Sequence, residues 1–303
     1  MSLLYEIAKP VLRRSMKKRM EEGIENPYPF VYKIEKIQNN ALPLKKLHRK
    51  YSFEEKKVYD VPCFIMQPPE KNPDGILLYF FGGGYCKPGK SSDFAFASDI
   101  AKNTGKEVWM VWYPLFPNAT AYEIACAAAD AYEEALKKMP AQQIVFYGNS
   151  SGASLCFTAC VFLRKYRPNV PLPYAIVAHS PLMRYPTEEE QKRMEELDQR
   201  DVIIPAHLMD MYKNHTDLFR YGGFYEFMNP IDQDWKDFPK MLVLFGEDEV
   251  FSAFLESIIL KAEKDDVSLE TYVGKGCHCF SAVSFLPEAK AGRKIIYDFL
   301  RKR

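Results

Sequence analysis

The fold is decided by the stretch Tyr-Gly-Asn-Ser-Ser-Gly-Ala at residues 147–153. The apolar run 144–146 precedes it, and a helix-like run, 153–162, follows it. This order of strand, glycine-flanked serine and helix is the one that a nucleophile elbow requires. Only Ser150 has a glycine two places before it and two places after it, and the tight turn that lifts a serine above a sheet leaves no room for side chains there. Ser150 is therefore the candidate nucleophile.

A histidine and a group of carboxylates follow later in the chain. A serine hydroxyl needs a histidine base, which a carboxylate holds in one tautomer. The acidic residues 247–249 follow the apolar run 241–245, and His278 follows a later predicted strand that ends near residue 273. Both groups lie just past the carboxyl end of a predicted strand, where open α/β sheets place their ligands. The order of serine, acid and histidine is that of α/β-hydrolases.

Three consecutive glycines at 82–84 follow the apolar run 76–81. Acyl transfer needs hydrogen-bond donors aimed at the negative oxygen of the tetrahedral intermediate, and backbone N–H groups of such a loop can supply them. A phosphate cradle is the alternative, but no Lys-Ser or Lys-Thr pair opens a helix after the glycines. The pattern therefore favours an oxyanion loop.

These motifs together resemble the hormone-sensitive lipase family of α/β-hydrolase esterases. The matching stretches are Phe-Gly-Gly-Gly-Tyr at 81–85, Gly-Asn-Ser-Ser-Gly at 148–152 and His278. Tyr-Pro-Leu-Phe-Pro at 113–117 is similar to the family's Tyr-Arg-Leu-Ala-Pro stretch, and Asn-Pro at 229–230 to its Ser-Pro or Asp-Pro step. The resemblance extends from about residue 50 to the C-terminus.

Carried over to the matching positions, the resemblance implies a catalytic triad, an oxyanion hole and one residue of the substrate pocket. The triad would consist of Ser150 as nucleophile, Asp248 as acid and His278 as base. The oxyanion hole would consist of the backbone N–H groups of Gly83, Gly84 and Ser151. Tyr85 would line the substrate pocket. A packing role for Tyr85 remains open. So does the identity of the acid among residues 247–249, because Glu249 stands where the family usually has proline.

A second departure concerns the residue before the three glycines. The family usually has a histidine there, whose ring braces the oxyanion loop by hydrogen bonds, whereas this chain has Phe81. A phenylalanine can brace the loop only by packing. We therefore expect this loop to be held in a different way.

Strand-like and helix-like segments alternate through most of the chain, which predicts an α/β-hydrolase fold with a mostly parallel sheet, helices on both faces and a helical cap. We expect an N-terminal cap segment at 1–50, a core at 51–182 and 240–303, and a cap insertion at 183–239. The predicted strands are 58–66, 75–81, 107–113, 143–147, 174–180, 241–245 and 269–273. The predicted core helices are 120–138, 153–166, 251–264 and 288–301. Cap helices are expected near 10–23, 188–197 and 205–212, with an aromatic run at 218–227.

Composition narrows the classes of partner. The chain has 303 residues, a net charge of +1 and 47% apolar residues, which is typical of a globular protein without a concentrated basic field for nucleic acid. No apolar run of 18 residues occurs, so we expect no stable membrane insertion and a cytoplasmic protein, although the basic segment 10–23 could lie on a membrane surface. Seven scattered cysteines indicate reduced thiols and no metal site. We expect no cofactor, and a homodimer stays open.

The sequence as a whole predicts a serine carboxylesterase that acts on small, short-acyl esters. An amidase or acyl-peptide hydrolase with the same triad is an alternative, because the sequence does not fix the leaving group. A non-catalytic receptor on this fold is another, as in the gibberellin receptors, which resemble these esterases but lack the histidine. The presence of His278 favours an enzyme.

Overall fold

A computed structural model describes residues 2–40, 42–70, 72–215 and 225–302. Its centre is an eight-stranded sheet in the order β1-β2-β4-β3-β5-β6-β7-β8. The strands from β3 to β8 pair in parallel, and β1 and β2 join at one edge in antiparallel fashion. The predicted fold class is confirmed.

The sheet consists of β1 (Glu54–Val58), β2 (Val61–Met66), β3 (Ile76–Phe80), β4 (Glu107–Val111), β5 (Ile144–Asn149), β6 (Ala175–His179), β7 (Lys240–Gly246) and β8 (Leu269–Gly274). The four central strands, β3 to β6, are buried along their whole length. Strands covered by helices on both faces must be apolar throughout, which explains why their sequences show continuous apolar runs rather than alternation.

The helices in the described residues are α1 (Leu3–Leu12), α2 (Lys18–Glu25), α3 (Pro27–Gln38), α4 (Leu44–His48), α5 (Ser91–Thr104), α6 (Ala121–Leu136), α7 (Ser151–Tyr166), α8 (Glu188–Asp198), α9 (Leu208–Asn214), α10 (Tyr225–Met228), α11 (Leu255–Lys264) and α12 (Pro287–Arg301). A π-helical turn, Arg13–Lys17, joins α1 to α2. None of these helices is both long and apolar enough to cross a membrane.

Two parts of the core differ from the sequence prediction. The single strand predicted at 58–66 is a hairpin, because the chain turns at Tyr59, whose φ of 50° is left-handed, and β1 pairs with β2 across that turn. Helix α5 was not predicted at all. Its apolar residues are interrupted by serine, aspartate and asparagine, yet its inner face, including Phe94 and Ile100, is fully buried.

Two segments lie outside the alternation of strands and helices. Residues 2–40 form α1 to α3, so the helix predicted at 10–23 begins earlier and continues further. The insertion between β6 and β7 contains α8, α9 and α10, and we call its described residues the cap insertion. Most of the aromatic run predicted at 218–227 lies outside the described residues. The two cap helices predicted at 188–197 and 205–212 correspond to α8 and α9.

Candidate active site

Ser150 lies in the sharp turn between β5 and α7. Its φ of 54° and ψ of −125° are rare for a residue with a side chain, and such strain clusters at functional sites. A Cβ atom on Gly148 would lie 2.1 Å from the carbonyl oxygen of Gly152, and one on Gly152 would lie 2.0 Å from that of Phe80. Only glycine fits at these two positions, as the sequence pattern predicts.

His278 lies beside Ser150, on the loop between β8 and the 3-10 turn Phe280–Ala282. Its Nε2 atom is 2.9 Å from Ser150 Oγ, within hydrogen-bond distance. The ring is buried and packs edge-on against Phe251, with 5.3 Å between ring centroids. The structure therefore brings together the predicted nucleophile and the predicted base, from segments 128 residues apart.

The carboxylate that faces His278 belongs to Glu249, not to Asp248. Glu249 Oε2 is 3.6 Å from His278 Nδ1, and the Glu249 side chain is fully buried. This separation is longer than a hydrogen bond, but contacts of this kind are often loose in unliganded sites and tighten when substrate binds. The placement of Asp248 against His278 was therefore wrong by one residue.

Asp248 has a different set of partners. Its Oδ2 atom is 3.2 Å from Lys9 Nζ on α1, and its Oδ1 atom is 2.8 Å from an Arg200 guanidinium nitrogen in the cap insertion. The Tyr5 hydroxyl lies 3.4 Å from Oδ2 and donates to it. Asp248 is only 1% exposed, so these cations compensate a buried charge. It joins the N-terminal segment and the cap insertion to the turn that carries Glu249.

Ser180 connects the candidate acid to the candidate base, and no sequence motif indicates it. Its hydroxyl donates to Glu249 Oε2 at 2.7 Å and accepts from the Cys279 backbone N–H at 3.0 Å. Ser180 follows β6 directly and has a φ of 59°, a strained conformation that is common at functional sites. This strain can be recognised only from the backbone and not from the sequence. It therefore ties the Glu249 carboxylate to the loop that carries His278.

Two opposing effects act on the protonation of His278. Burial alone lowers its pKa, because the charged imidazolium is poorly solvated there. The Cys279 sulfur and the Glu249 carboxylate outweigh that effect, so the pKa of His278 is raised well above its ordinary value. The neighbouring His179 is also buried, but its ring bonds to Ser281 and not to a carboxylate. Burial lowers the pKa of His179 to about 3, which keeps that ring neutral.

The glycine loop lies directly against Ser150, the candidate nucleophile. A Cβ atom on Gly82 would lie 3.1 Å from Ser150 Cβ. The Gly83 carbonyl accepts from the Cys86 and Lys87 N–H groups at 3.1 and 3.0 Å. Because the C=O and N–H of a trans peptide point in opposite directions, these bonds turn the Gly84 N–H away from Lys87. Gly84 also lines the cavity beside Ser150.

Ser151 is the first residue of α7, and its N–H is one of the four at a helix start that lack an acceptor within the helix. It lies next to Ser150 in the chain and lines the same cavity as Gly84. The three N–H groups predicted for the oxyanion hole, those of Gly83, Gly84 and Ser151, thus belong to the loop and the helix start that meet at Ser150.

Packing and hydrogen bonds from three segments hold the glycine loop. The Phe81 ring stacks on Tyr113, with 4.4 Å between centroids, and the Tyr113 hydroxyl donates to the Phe81 carbonyl at 2.5 Å. Tyr212 of α9 donates to the Gly84 carbonyl at 2.7 Å. Gln38 of α3 donates to the Cys86 carbonyl at 2.6 Å. Stacking on Tyr113 and these hydrogen bonds hold the loop in the absence of the histidine that the family usually has at the position of Phe81.

A small cavity of about 30 Å³ opens beside Ser150 in the described part of the chain. Tyr85 lines it, as the sequence predicts, and is 6% exposed. The remaining walls are mostly apolar: they include Leu182 and Phe251 of the core, and Leu208, Met209, Tyr212 and Met228 of the cap insertion. The cap insertion therefore supplies a large share of the pocket wall.

Comparison with known proteins finds relatives of similar architecture. An esterase of Acinetobacter venetianus is 24% identical over 229 residues, which cover 74% of each chain. The crystal structure of EstE5 soaked with p-nitrophenyl butyrate is similar with a TM-score of 0.76 and 19% identity, over 99% of this chain and 98% of that one. An esterase of the bacterial hormone-sensitive lipase family is similar with a TM-score of 0.73 and 22% identity, over 89% of this chain and 95% of that one.

A family model extends this likeness from fold to sequence. The model describes the alpha/beta hydrolase fold and matches residues 77–282, from β3 through the loop that carries His278. Together with the structural neighbours, it confirms the predicted resemblance to the hormone-sensitive lipase family. Since the match covers more than half of the chain, this protein belongs to the alpha/beta hydrolase fold family.

Proposed function

We propose that this protein is a serine carboxylesterase that hydrolyses small, short-acyl esters through an acyl-enzyme intermediate. The observation that carries the proposal is the 2.9 Å contact between Ser150 Oγ and His278 Nε2, with the Glu249 carboxylate on the far side of the ring. A nucleophile, a base and an orienting acid in this arrangement are the parts that acyl transfer requires.

In the first half of the reaction, Ser150 Oγ attacks the ester carbonyl carbon while His278 Nε2 takes the hydroxyl proton. The carbonyl oxygen becomes an oxyanion, which the N–H groups of Gly84, Gly83 and Ser151 stabilise. Collapse of this intermediate breaks the bond to the alkoxy group, and the imidazolium gives its proton to the leaving alcohol. The acyl group is then an ester of Ser150.

In the second half, water replaces the alcohol. His278 takes a proton from the attacking water, the same donors stabilise the second oxyanion, and the carboxylic acid leaves as Ser150 regains its proton. The Glu249 carboxylate stabilises the imidazolium in both halves. Asp248, whose charge Lys9 and Arg200 compensate, has no part in the proton transfers.

The preference for short acyl groups rests on the cavity beside Ser150. About 30 Å³ is room for a group of only a few heavy atoms, and its walls are mostly apolar. Among the similar structures, EstE5 was soaked with p-nitrophenyl butyrate, an ester of a four-carbon acid. We expect the rate to be highest for acyl chains of similar or smaller length.

Hydrolysis of p-nitrophenyl acetate, butyrate, octanoate and palmitate by the full chain tests the proposal. The kcat/KM should be highest for the two shorter esters, and Ser150→Ala should lower it on the order of a million-fold, as for other serine hydrolases. Ser151→Ala is the matched control, because that position contributes a backbone N–H. A maximum at palmitate, with a jump once substrate aggregates, would replace the esterase by a lipase.

The same protein distinguishes an enzyme from a receptor and an esterase from an amidase. A fluorophosphonate should label Ser150, and the label should be lost in Ser150→Ala. A wild-type chain that binds esters but is neither labelled nor active would contradict any catalytic function. Faster turnover of an anilide than of the matching ester would favour the amidase.

A further inference from the structure

The N-terminal helix α1 has an apolar face that is largely exposed in the described chain. Its inner face packs inward: Tyr5 is fully buried and Lys9 reaches Asp248. On its outer face Leu3, Ile7 and Val11 are 77%, 63% and 67% exposed. Residues four apart lie on one side of a helix, so these three form a single stripe about 12 Å long.

The stripe continues into basic residues. The exposed Arg14 and Lys18 lie three and seven residues after Val11, in the π-helical turn and at the start of α2. Residues 1–50 carry twelve lysines and arginines against five glutamates, whereas residues 51–303 carry 29 basic and 35 acidic residues. The near-zero net charge of the chain thus conceals a strongly positive N-terminal segment.

We propose that the outer face of α1, together with Arg14 and Lys18, binds to the surface of an anionic lipid bilayer. A helix with an apolar stripe beside lysine and arginine lies in the plane of a membrane interface, where apolar burial and attraction to anionic headgroups add. The helix is too short and too polar to span the bilayer. The association is therefore peripheral.

A second copy of this chain fits the same face less well. In a two-fold dimer each patch meets its own copy, so the two positively charged N-terminal segments would be brought together. The excess positive charge of the two N-terminal segments would oppose that contact. An anionic bilayer instead attracts the segment, because its negative charge is opposite to the positive charge of the segment.

Sedimentation with vesicles tests the proposal without reference to esterase activity. The full chain should sediment with vesicles of phosphatidylcholine mixed with phosphatidylglycerol, remain free with phosphatidylcholine alone, and dissociate at high salt. Arg14→Glu combined with Lys18→Glu should weaken binding by about thirtyfold or more, since each basic residue near such a surface strengthens binding by roughly fivefold. Lys290→Glu on α12 is the charge control.

The apolar stripe is tested in the same way. Leu3→Asp combined with Ile7→Asp should abolish sedimentation, while Leu260→Asp, at a position that is 58% exposed on α11, should leave it intact. Circular dichroism and thermal melting establish that each variant is folded. If the double variant at Leu3 and Ile7 is unfolded, the single variant Val11→Asp tests the stripe in its place.

Three results would overturn the proposal. The first is the absence of sedimentation with the mixed vesicles, or equal sedimentation with neutral ones. The second is undiminished binding by the folded Leu3 and Ile7 variant. The third is light scattering that shows a wild-type dimer which this variant dissociates, because the stripe would then be an interface between copies of the chain.

Discussion

Glu249 and Asp248 are neighbours in the chain, yet their carboxylates face different parts of the molecule. Glu249 faces His278, whereas Asp248 faces Lys9 and Arg200. The order of the motifs predicted an acid after β7. Consecutive side chains in a turn point in different directions, which only the backbone conformation determines, so the sequence could not decide between the two residues. Ser150 and His278 could be located from the sequence because the glycine spacing excludes Ser151, and His278 is the only histidine after the acidic residues 247–249.

The first prediction separates the two carboxylates. Glu249→Gln should lower kcat/KM by about a thousandfold or more, because glutamine cannot stabilise the imidazolium, and a comparable change in a serine protease costs roughly ten-thousandfold. The Glu249 carboxylate also raises the pKa of His278. Loss of the carboxylate should therefore lower the pKa of His278 and move the acidic limb of the kcat/KM profile to lower pH. The residual activity of the variant, measured as a function of pH, tests this shift.

Asp248→Asn is the matched control for that prediction. It leaves Glu249 beside His278 but removes the partner of Lys9 and Arg200. We expect a lowered melting temperature and a rate within about tenfold of wild type at temperatures where the variant is folded, since it makes no contact with the reacting groups. A collapse of activity in folded Asp248→Asn, with Glu249→Gln active, would return the acid to position 248.

The second prediction concerns Ser180. Ser180→Ala removes the hydroxyl that donates to Glu249 and accepts from the Cys279 N–H. We expect kcat to fall about tenfold with little change in KM, because the buried carboxylate loses a bond worth roughly 1 to 3 kcal/mol. An equal fall in Ser252→Ala, a serine in the turn after Glu249, would show that the effect is not specific.

The elements around the glycine loop explain how it holds its shape without the usual histidine. Phe81 packs against Tyr113, two residues after β4, and the Gly84 carbonyl accepts from Tyr212 of α9. The sequence predicted bracing by packing at Phe81. It could not predict Tyr212 or Gln38, because both belong to segments that reach the loop only after the chain has folded. Helix α5 was missed for a related reason, since burial overrides its polar interruptions.

The third prediction tests the bond between α9 and the glycine loop. Tyr212→Phe removes the hydroxyl that donates to the Gly84 carbonyl. That carbonyl belongs to the residue whose N–H is one of the proposed oxyanion donors. We expect kcat to fall by about tenfold, less than the hundredfold or more that follows loss of a whole oxyanion donor. Kinetics with p-nitrophenyl butyrate measure the change. Tyr51→Phe, which loses only an exposed contact with Ser91, should have no effect.

At the scale of the whole molecule, the first forty residues are fastened to distant parts of the chain. Ser2 bonds to Glu288 on α12, Lys9 to Asp248, Lys17 to Asp198 in the cap insertion, and Gln38 to Cys86 in the glycine loop. Lys17 is almost fully buried, and its ammonium pairs with the Asp198 carboxylate and donates to the Asp198 and Asp201 carbonyls. The N-terminal segment therefore contacts both sides of the candidate site.

The fourth prediction follows from these contacts. Removal of residues 1–22 deletes Lys9 and Lys17, which leaves the buried Asp248 with Arg200 alone. We expect a lower melting temperature and a changed acyl-length profile, measured with the four p-nitrophenyl esters. A folded truncation with an unchanged profile would show that the N-terminal helices take no part in substrate choice.

The cap insertion bonds to two parts of the candidate site, the glycine loop and the turn that carries Glu249. Tyr212 holds the Gly84 carbonyl, and Asp201 accepts from the N–H of Val250, the residue after Glu249, at 2.8 Å. A displacement of the whole cap insertion would therefore remove one hydrogen bond from the glycine loop and one from the turn that carries Glu249, so its position and the shape of the candidate site depend on each other.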